Sequence, residues 1–153
     1  RRGIRIHGVN DLMINFGKCC TPIPGDPVIG LITRGRGVSV HRTDCANIED
    51  VTEDPDRILA VDWDLQKEFS FTIQLLVRCG DRKGLLSDVT KVISDCEINI
   101  RGATTETDSH AAELRFWVDI HDTQQLGAIV RKVYSVSGVK EVLRVDDPDR
   151  ADD

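Results

Sequence analysis

Apolar positions from residue 69 onward switch between two periods in a regular order. Phe69, Phe71, Ile73, Leu75 and Val77 alternate strictly, which predicts a strand with one buried face. A turn, Gly80-Asp81-Arg82-Lys83-Gly84, follows. Leu85, Leu86, Val89, Val92, Ile93 and Cys96 then recur at helical spacing. Residues 98–106 and 111–120 read as two more strands, separated by the polar turn Thr107-Asp108-Ser109-His110. Residues 123–134 repeat helical apolar positions at Leu126, Ile129, Val130, Val133 and Tyr134, and residues 139–145 form a last strand. The order β-α-β-β-α-β is that of the ferredoxin-like unit. Trp117 and Tyr134 are expected in its core. Two helices cover only one face of such a sheet, and an uncovered edge invites pairing. Self-association as a homodimer, or docking of another domain, is therefore expected through this sheet.

The first 68 residues are less regular. Residues 3–8 alternate weakly and suggest an edge strand, and residues 12–16 a second. Thr21-Pro22-Ile23-Pro24-Gly25-Asp26 is rich in turn formers, since proline fixes φ and glycine tolerates positive φ. Residues 28–33 and 37–41 are β-rich runs joined by Arg34-Gly35-Arg36, a hairpin pattern. Thr43 or Asp44 is placed to cap a short helix over residues 45–48. Residues 49–57 are acidic and poor in apolar side chains, which marks a connection. A strand over residues 58–63 closes the module. The fold class is thus α+β, in two small domains: a mixed β module over residues 1–57, with closing strand and linker to about 68, and a ferredoxin-like module over 69–146. An acidic tail, 147–153, follows.

Charge separates the two. Residues 1–46 carry seven Lys/Arg against three Asp, a net +4, while the remainder is net −10. A basic first module fits an anionic partner such as RNA. The acidic second module is poorly suited to grip phosphates. No apolar run approaches the roughly 20 residues of a membrane span, and no signal-peptide pattern is present, so the expected compartment is the cytoplasm, with no membrane partner. The chain opens on Arg1-Arg2 rather than Met, which suggests a piece of a longer protein.

Five cysteines cannot form a complete disulfide framework. Cys79 and Cys96 lie in apolar-patterned segments and are expected as small buried hydrophobes. Cys19, Cys20, His41 and Cys45 form a different set: three thiols and one imidazole are a tetrahedral Cys3His zinc set. Adjacent side chains on a regular strand point to opposite faces, so Cys19 and Cys20 share a metal only from an irregular turn, which the TPIPG that follows is placed to supply. A closed four-ligand site would be structural, leaving no open position for water. The spacing lacks the familiar C-x-x-C pairing, and residue types alone leave open that these are buried or turn cysteines beside a strand-end histidine. A Cys19–Cys20 disulfide would be strained. Near His41 the sequence offers no nucleophile–orienter pair, so an enzymatic role for this stretch is weakly supported.

Lys18, Arg34, Arg36 and Arg42 make a compact positive patch on and beside the hairpin. It reads either as a glycine-rich turn with solvated arginines or as a phosphate-contacting element, since guanidinium groups pair well with phosphate oxygens. Aromatic interleaving is absent, which argues against a single-strand stacking platform.

KCCTPIPGD followed by GLITRGRGVSVHRTDC resembles the zinc-finger or conserved-cysteine domain near the C-terminus of long RelA/SpoT-type enzymes, which make and degrade (p)ppGpp in the stringent response. The second module resembles the ACT domain that ends the same proteins. Together the two matches cover residues 1–146. The resemblance implies a regulatory C-terminal fragment that is not itself an enzyme, from a parent similar to a GTP pyrophosphokinase or (p)ppGpp hydrolase. It implies structural Zn2+ on Cys19, Cys20, His41 and Cys45. It also implies partners: the ribosome and uncharged tRNA, sensed through the basic patch, and the catalytic domains of the same chain. ACT domains commonly bind an amino acid where the first strand turns into the first helix. Here that is Asp81, Gly84 and Leu85, with Asn99 and Ile100 from the next strand; helix N–H groups would hold a carboxylate, Asp81 an ammonium, and the apolar side chains a branched-chain amino acid. Against this, Gly84 is equally suited to permit the turn and Asp81 to cap the helix. Two alternatives stand beside the ribosome reading: a pure branched-chain amino-acid sensor, and an oligomerisation module without ribosome contact.

Overall fold

The computed structural model describes residues 3–6, 12–35, 37–48, 54–64 and 69–150. The chain divides into two compact units, residues 1–69 with 146–153, and residues 70–145.

In the first unit, β1 (Ile4–Ile6) pairs antiparallel with β6 (Val61–Trp63). A four-stranded sheet has the order β2-β4-β3-β5, built from β2 (Ile14–Phe16), β3 (Val28–Thr33), β4 (Gly37–Arg42) and β5 (Ile58–Leu59). The β3–β4 hairpin keeps full register from Val28 opposite Arg42 to Thr33 opposite Gly37. The strand expected over residues 58–63 is broken at Ala60. Ile58 and Leu59 pair with β3, whereas Val61–Trp63 pairs with β1. Alternation alone carries no mark of a change of partner. Expected strands over residues 3–8 and 12–16 shorten to Ile4–Ile6 and Ile14–Phe16, with residues 7–8 outside the described ones. The expected helix over residues 45–48 is a single 3-10 turn, Ala46–Ile48.

Among the described residues, the fully buried core of this unit falls into two clusters, with partly buried apolar side chains packed against each. One cluster holds Ile4, Val38, Val40 and Val61; a second holds Cys19, Cys20, Leu31, Cys45 and Ile48. Gly30 lies where the first needs room: a Cβ there would stand 2.9 Å from both Val38 and Val61 methyls. Phe16 stacks on Trp63 at 5.9 Å between centroids, and the Trp63 indole N–H donates to the Asp26 carbonyl at 3.0 Å.

The second unit is one sheet of order β10-β7-β9-β8, all antiparallel, formed by β7 (Phe71–Gly80), β8 (Ile100–Asp108), β9 (Ala111–Ile120) and β10 (Val139–Val145). Helix α1 (Leu85–Ser94) buries Leu85, Val89 and Ile93; α2 (Thr123–Tyr134) buries Ile129 and Val133. Ile73, Leu75 and Val77 of β7 and the even-numbered positions 112–120 of β9 are buried as well, where alternation places them on one face. The βαββαβ order matches the apolar pattern. The turn between β8 and β9 tightens to Ser109-His110, since Asp108 pairs with Ala111. Tyr134 is a correction: the last residue of α2 is 46% exposed, and its hydroxyl accepts from the Val142 N–H at 3.0 Å. Trp117 is half-buried, and so is Cys96, in contrast to buried Cys79.

The described part of the segment expected as a trailing acidic tail, up to residue 150, returns to the first unit. Among the described residues, no helix is long and apolar enough to cross a membrane.

Candidate metal centre

Cys19 and Cys20 sit on a turn closed by Thr21 N–H donating to the Gly17 carbonyl at 2.9 Å. The irregular backbone that lets neighbouring cysteines face one point therefore lies at 17–21, beginning four residues before TPIPG. Thr21 has φ +41°, an uncommon conformation for a β-branched residue. Beyond it, Asp26 accepts from the Ile23 N–H through its carboxylate at 2.8 Å, and Pro22, Ile23 and Pro24 are buried. The loop thus holds the turn from behind. His41 comes from β4, and Cys45 stands just before the 3-10 turn.

These three segments bring four donors together. His41 Nδ1 lies 3.5 Å from Cys19 Sγ and 3.6 Å from Cys20 Sγ, and Cys19 Sγ lies 3.4 Å from Cys45 Sγ. All four ligand atoms fall within 4.8 Å of one another, and all four residues are buried. Donors about 2.0–2.3 Å from one zinc ion at tetrahedral angles stand about 3.5–3.8 Å apart. The donor chemistry and the spacing both fit the metal. Burial pushes the Cys20 thiol well above its ordinary range; the neighbouring Cys45 and Cys19 add to the rise, and the Arg42 N–H opposes it. Such a thiol must give up its proton when it ligates.

Three further residues shape the centre. Gly17 leaves space for the imidazole: a Cβ there would stand 2.5 Å from His41 Cε1 and Nδ1. Ser39 Oγ lies 2.8 Å from His41 Nε2, so Nδ1 faces the sulfurs. Arg42 is buried, donating its backbone N–H to Cys20 Sγ at 3.5 Å and Nη1 to the Cys20 carbonyl at 3.0 Å. Its guanidinium also pairs with Asp44 at 2.9 Å and Asp146 at 2.6 Å. Burial works against the charge, but these two carboxylates outweigh it and hold Arg42 more firmly cationic than usual. Ser39 was within reach of sequence reasoning, because positions 39 and 41 share one strand face. Gly17 and Asp146 carry no local signal.

The other expected site residues are dispersed. Arg42, expected to face RNA, instead braces the centre, because its guanidinium is occupied by the two aspartates. Arg34 is exposed at the hairpin tip, Lys18 is half-buried on the cysteine turn, and Arg36 lies outside the described residues. In the second unit Asp81 is exposed at the end of β7. Gly84 precedes α1 at φ +79° without a side-chain cap, and Leu85 is buried. Ile100 is half-buried; Asn99 donates its side-chain amide to Asp119 at 3.2 Å. Arg82, not singled out from sequence, ties this turn down by donating to the Ser137 carbonyl at 2.8 Å and pairing with Asp88 at 2.8 Å.

Residues 4–64 match the RelA/SpoT RIS domain, and residues 67–144 match the ACT domain. A GTP pyrophosphokinase of Streptomyces coelicolor is 43% identical over 144 residues, which cover 94% of this chain and 17% of that protein. The bifunctional (p)ppGpp synthase/hydrolase RelA of Mycobacterium tuberculosis is 38% identical, over 94% of this chain and 20% of its own length. The chain therefore spans about a fifth of the length of these curated relatives. The solved ACT domain from the GTP pyrophosphokinase of Chlorobium tepidum is 23% identical, covers half of this chain and all of its own, and gives a TM-score of 0.47.

Proposed function

We propose, for a chain that belongs to the ACT domain family and carries a RelA/SpoT RIS domain ahead of it, that it is the regulatory region of a cytoplasmic (p)ppGpp synthetase or hydrolase. The observation that carries this reading is the joint match: RIS and ACT domains in series, aligned together to GTP pyrophosphokinases over 94% of this chain. On this reading the chain senses the ribosome and uncharged tRNA and passes that state to catalytic domains of the same polypeptide. The Cys3His centre holds Zn2+ and sets the β3–β4 hairpin in place; Arg34, Arg36 and Lys18 meet RNA phosphates. Zinc, when bound, cross-links the cysteine turn, β4 and the 3-10 turn.

The test uses the full-length parent, with Arg34 and Arg36 both changed to Ala, and follows (p)ppGpp synthesis with and without ribosomes carrying uncharged tRNA. Synthesis without ribosomes is expected to stay within twofold, and stimulation by ribosomes to fall at least tenfold. Undiminished stimulation would remove the hairpin from the RNA contact. Each lost phosphate contact should also lower the slope of log affinity against log salt by about 0.7–0.9.

A second reading is favoured by the start of α1, whose first turn has no side-chain cap. Its N–H groups are suited to an amino-acid carboxylate, with Asp81, Gly84, Leu85, Asn99 and Ile100 around it and a second copy paired through the sheet. Calorimetry with valine, leucine and isoleucine checks it; absence of heat from all three would end it.

A further inference from the structure

We propose that residues 146–150 are a lid over the Cys/His centre, latched by the Arg42–Asp146 ion pair, which lifts for a metal ion to enter or leave. The segment touches every stretch of chain that supplies a ligand. Asp147 N–H donates to the carbonyl of Cys19 itself at 2.7 Å. Asp146 pairs at 2.6 Å with Arg42, the residue after His41. Asn47, two residues past Cys45, donates its amide to the Pro148 carbonyl at 2.7 Å. Arg150 N–H closes the segment on the Asp147 carbonyl at 3.1 Å. Beneath it lies a cavity of about 280 Å³, with Cys19, Ser39 and His41 on one side and Pro148, Asp149 and Arg150 on the other. That is room for several water molecules, and it leads directly to two of the four ligands.

The closed lid is held loosely. Residues 147–150 are exposed, so the segment is fixed by polar contacts rather than by apolar burial, the kind of attachment that opens locally without global unfolding. One carboxylate oxygen of Asp146 takes the Arg42 bond; the other, Oδ1, is buried without a hydrogen-bond partner among the described residues. A desolvated, unpaired carboxylate oxygen is costly, and opening returns it to water. The latch thus carries both an attraction and a built-in opposing cost, as a reversible closure requires. This inference rests on the Cys/His geometry alone and holds whichever ion the centre accepts.

The test measures iodoacetamide alkylation of each cysteine by peptide mass mapping, in the chain as it stands, in Asp146→Asn, and in Asn47→Ala. Cys79 and Cys96, both in the second unit, serve as internal references. Cys19 and Cys45 are expected to react at least tenfold faster in both variants while Cys79 and Cys96 hold their rates, and zinc-loaded chain is expected to release zinc to a chelator faster in the same order. Unchanged rates at Cys19 and Cys45 would overturn the lid. So would a rise shared by Cys79 and Cys96, which would mark general unfolding. Metal analysis that finds no zinc in the chain as purified bears on the zinc reading alone, because the thiols of a folded first unit report the lid whether or not they hold metal.

Discussion

At the scale of single residues, the candidate centre depends on residues outside its Cys3His set. The imidazole is fixed between Gly17, which has no Cβ to push it away, and Ser39, which takes up its far nitrogen. Partners of this kind orient a ligating histidine, and their loss typically costs 10- to 100-fold in metal affinity. Ser39→Ala should therefore weaken zinc binding about tenfold while leaving the fold in place. Gly17→Ala should do more, since a methyl 2.5 Å from a rigid ring forces the ring or the turn to move. Competition against a chelator of known affinity checks both, and equal affinity in all three proteins would remove the two residues from the centre. The four clustered side chains were legible in the sequence as a candidate Cys3His set, because Cys and His in that combination have few uses. Gly17 and Arg42 were not. A close approach between a backbone and a ring 24 residues away leaves no trace in spacing, and an arginine in a basic stretch looks solvated until its two aspartates are seen around it.

Secondary elements were most legible where the pattern was long and one-sided. α2 and β9, each amphipathic over at least ten residues, fall where the apolar spacing puts them. The short strands of the first unit did not, since a three-residue strand holds too few alternations to mark its ends and Ala60 offers no sign that pairing changes there. In the second unit one side chain links three strands or their flanks. Asp119 on β9 accepts from Thr72 on β7 at 2.7 Å, from Arg101 on β8 at 2.9 Å and from Asn99 just before β8. Burial alone would raise its pKa, but these three donors outweigh it and hold the carboxyl below its ordinary value. A carboxyl lowered by folding stabilises the folded state above its unfolded pKa of about 3.9, and that contribution is lost as pH falls through the folded value. Acid unfolding of the chain should accordingly be steeper below about pH 4 than that of Asp119→Asn. Denaturant titrations between pH 2.5 and 6 give the comparison; parallel stability curves for the two proteins would show that the cluster carries no such linkage. Asn99, proposed above beside the amino-acid site, is at this scale also a member of the cluster that seats β8.

Across the whole molecule, the two units solve the problem of a small core differently. Residues 70–145 fill one face of a sheet with two helices, and Phe116, Leu114, Ile73 and Leu75 are fully buried there. Among the described residues, the first unit has no α-helix to cover its sheet in this way. Of the five residues in its second cluster, three are the cysteines of the candidate centre, so that centre and the hydrophobic core are in part the same atoms. Below about 80 residues a core seldom supplies more than about 3–5 kcal/mol, and small domains add a metal or disulfides to persist. Structural zinc contributes about 10–16 kcal/mol of apparent binding energy in small zinc-finger peptides, more than enough to decide whether such a unit is folded. Removing metal should therefore act on one unit and spare the other. After treatment with a strong chelator, amide protons of β3 and β4 are expected to exchange at nearly free-chain rates, and the 146–150 segment should lose its protection with them. Amides of β7 and β9 should keep theirs, because their core contains no ligand. Hydrogen exchange read by mass spectrometry separates these peptides in one experiment. Protection of β3 and β4 that survives complete metal removal would mean that the first unit stands on Val38, Val40 and their neighbours alone, and that its cysteines are packing residues first.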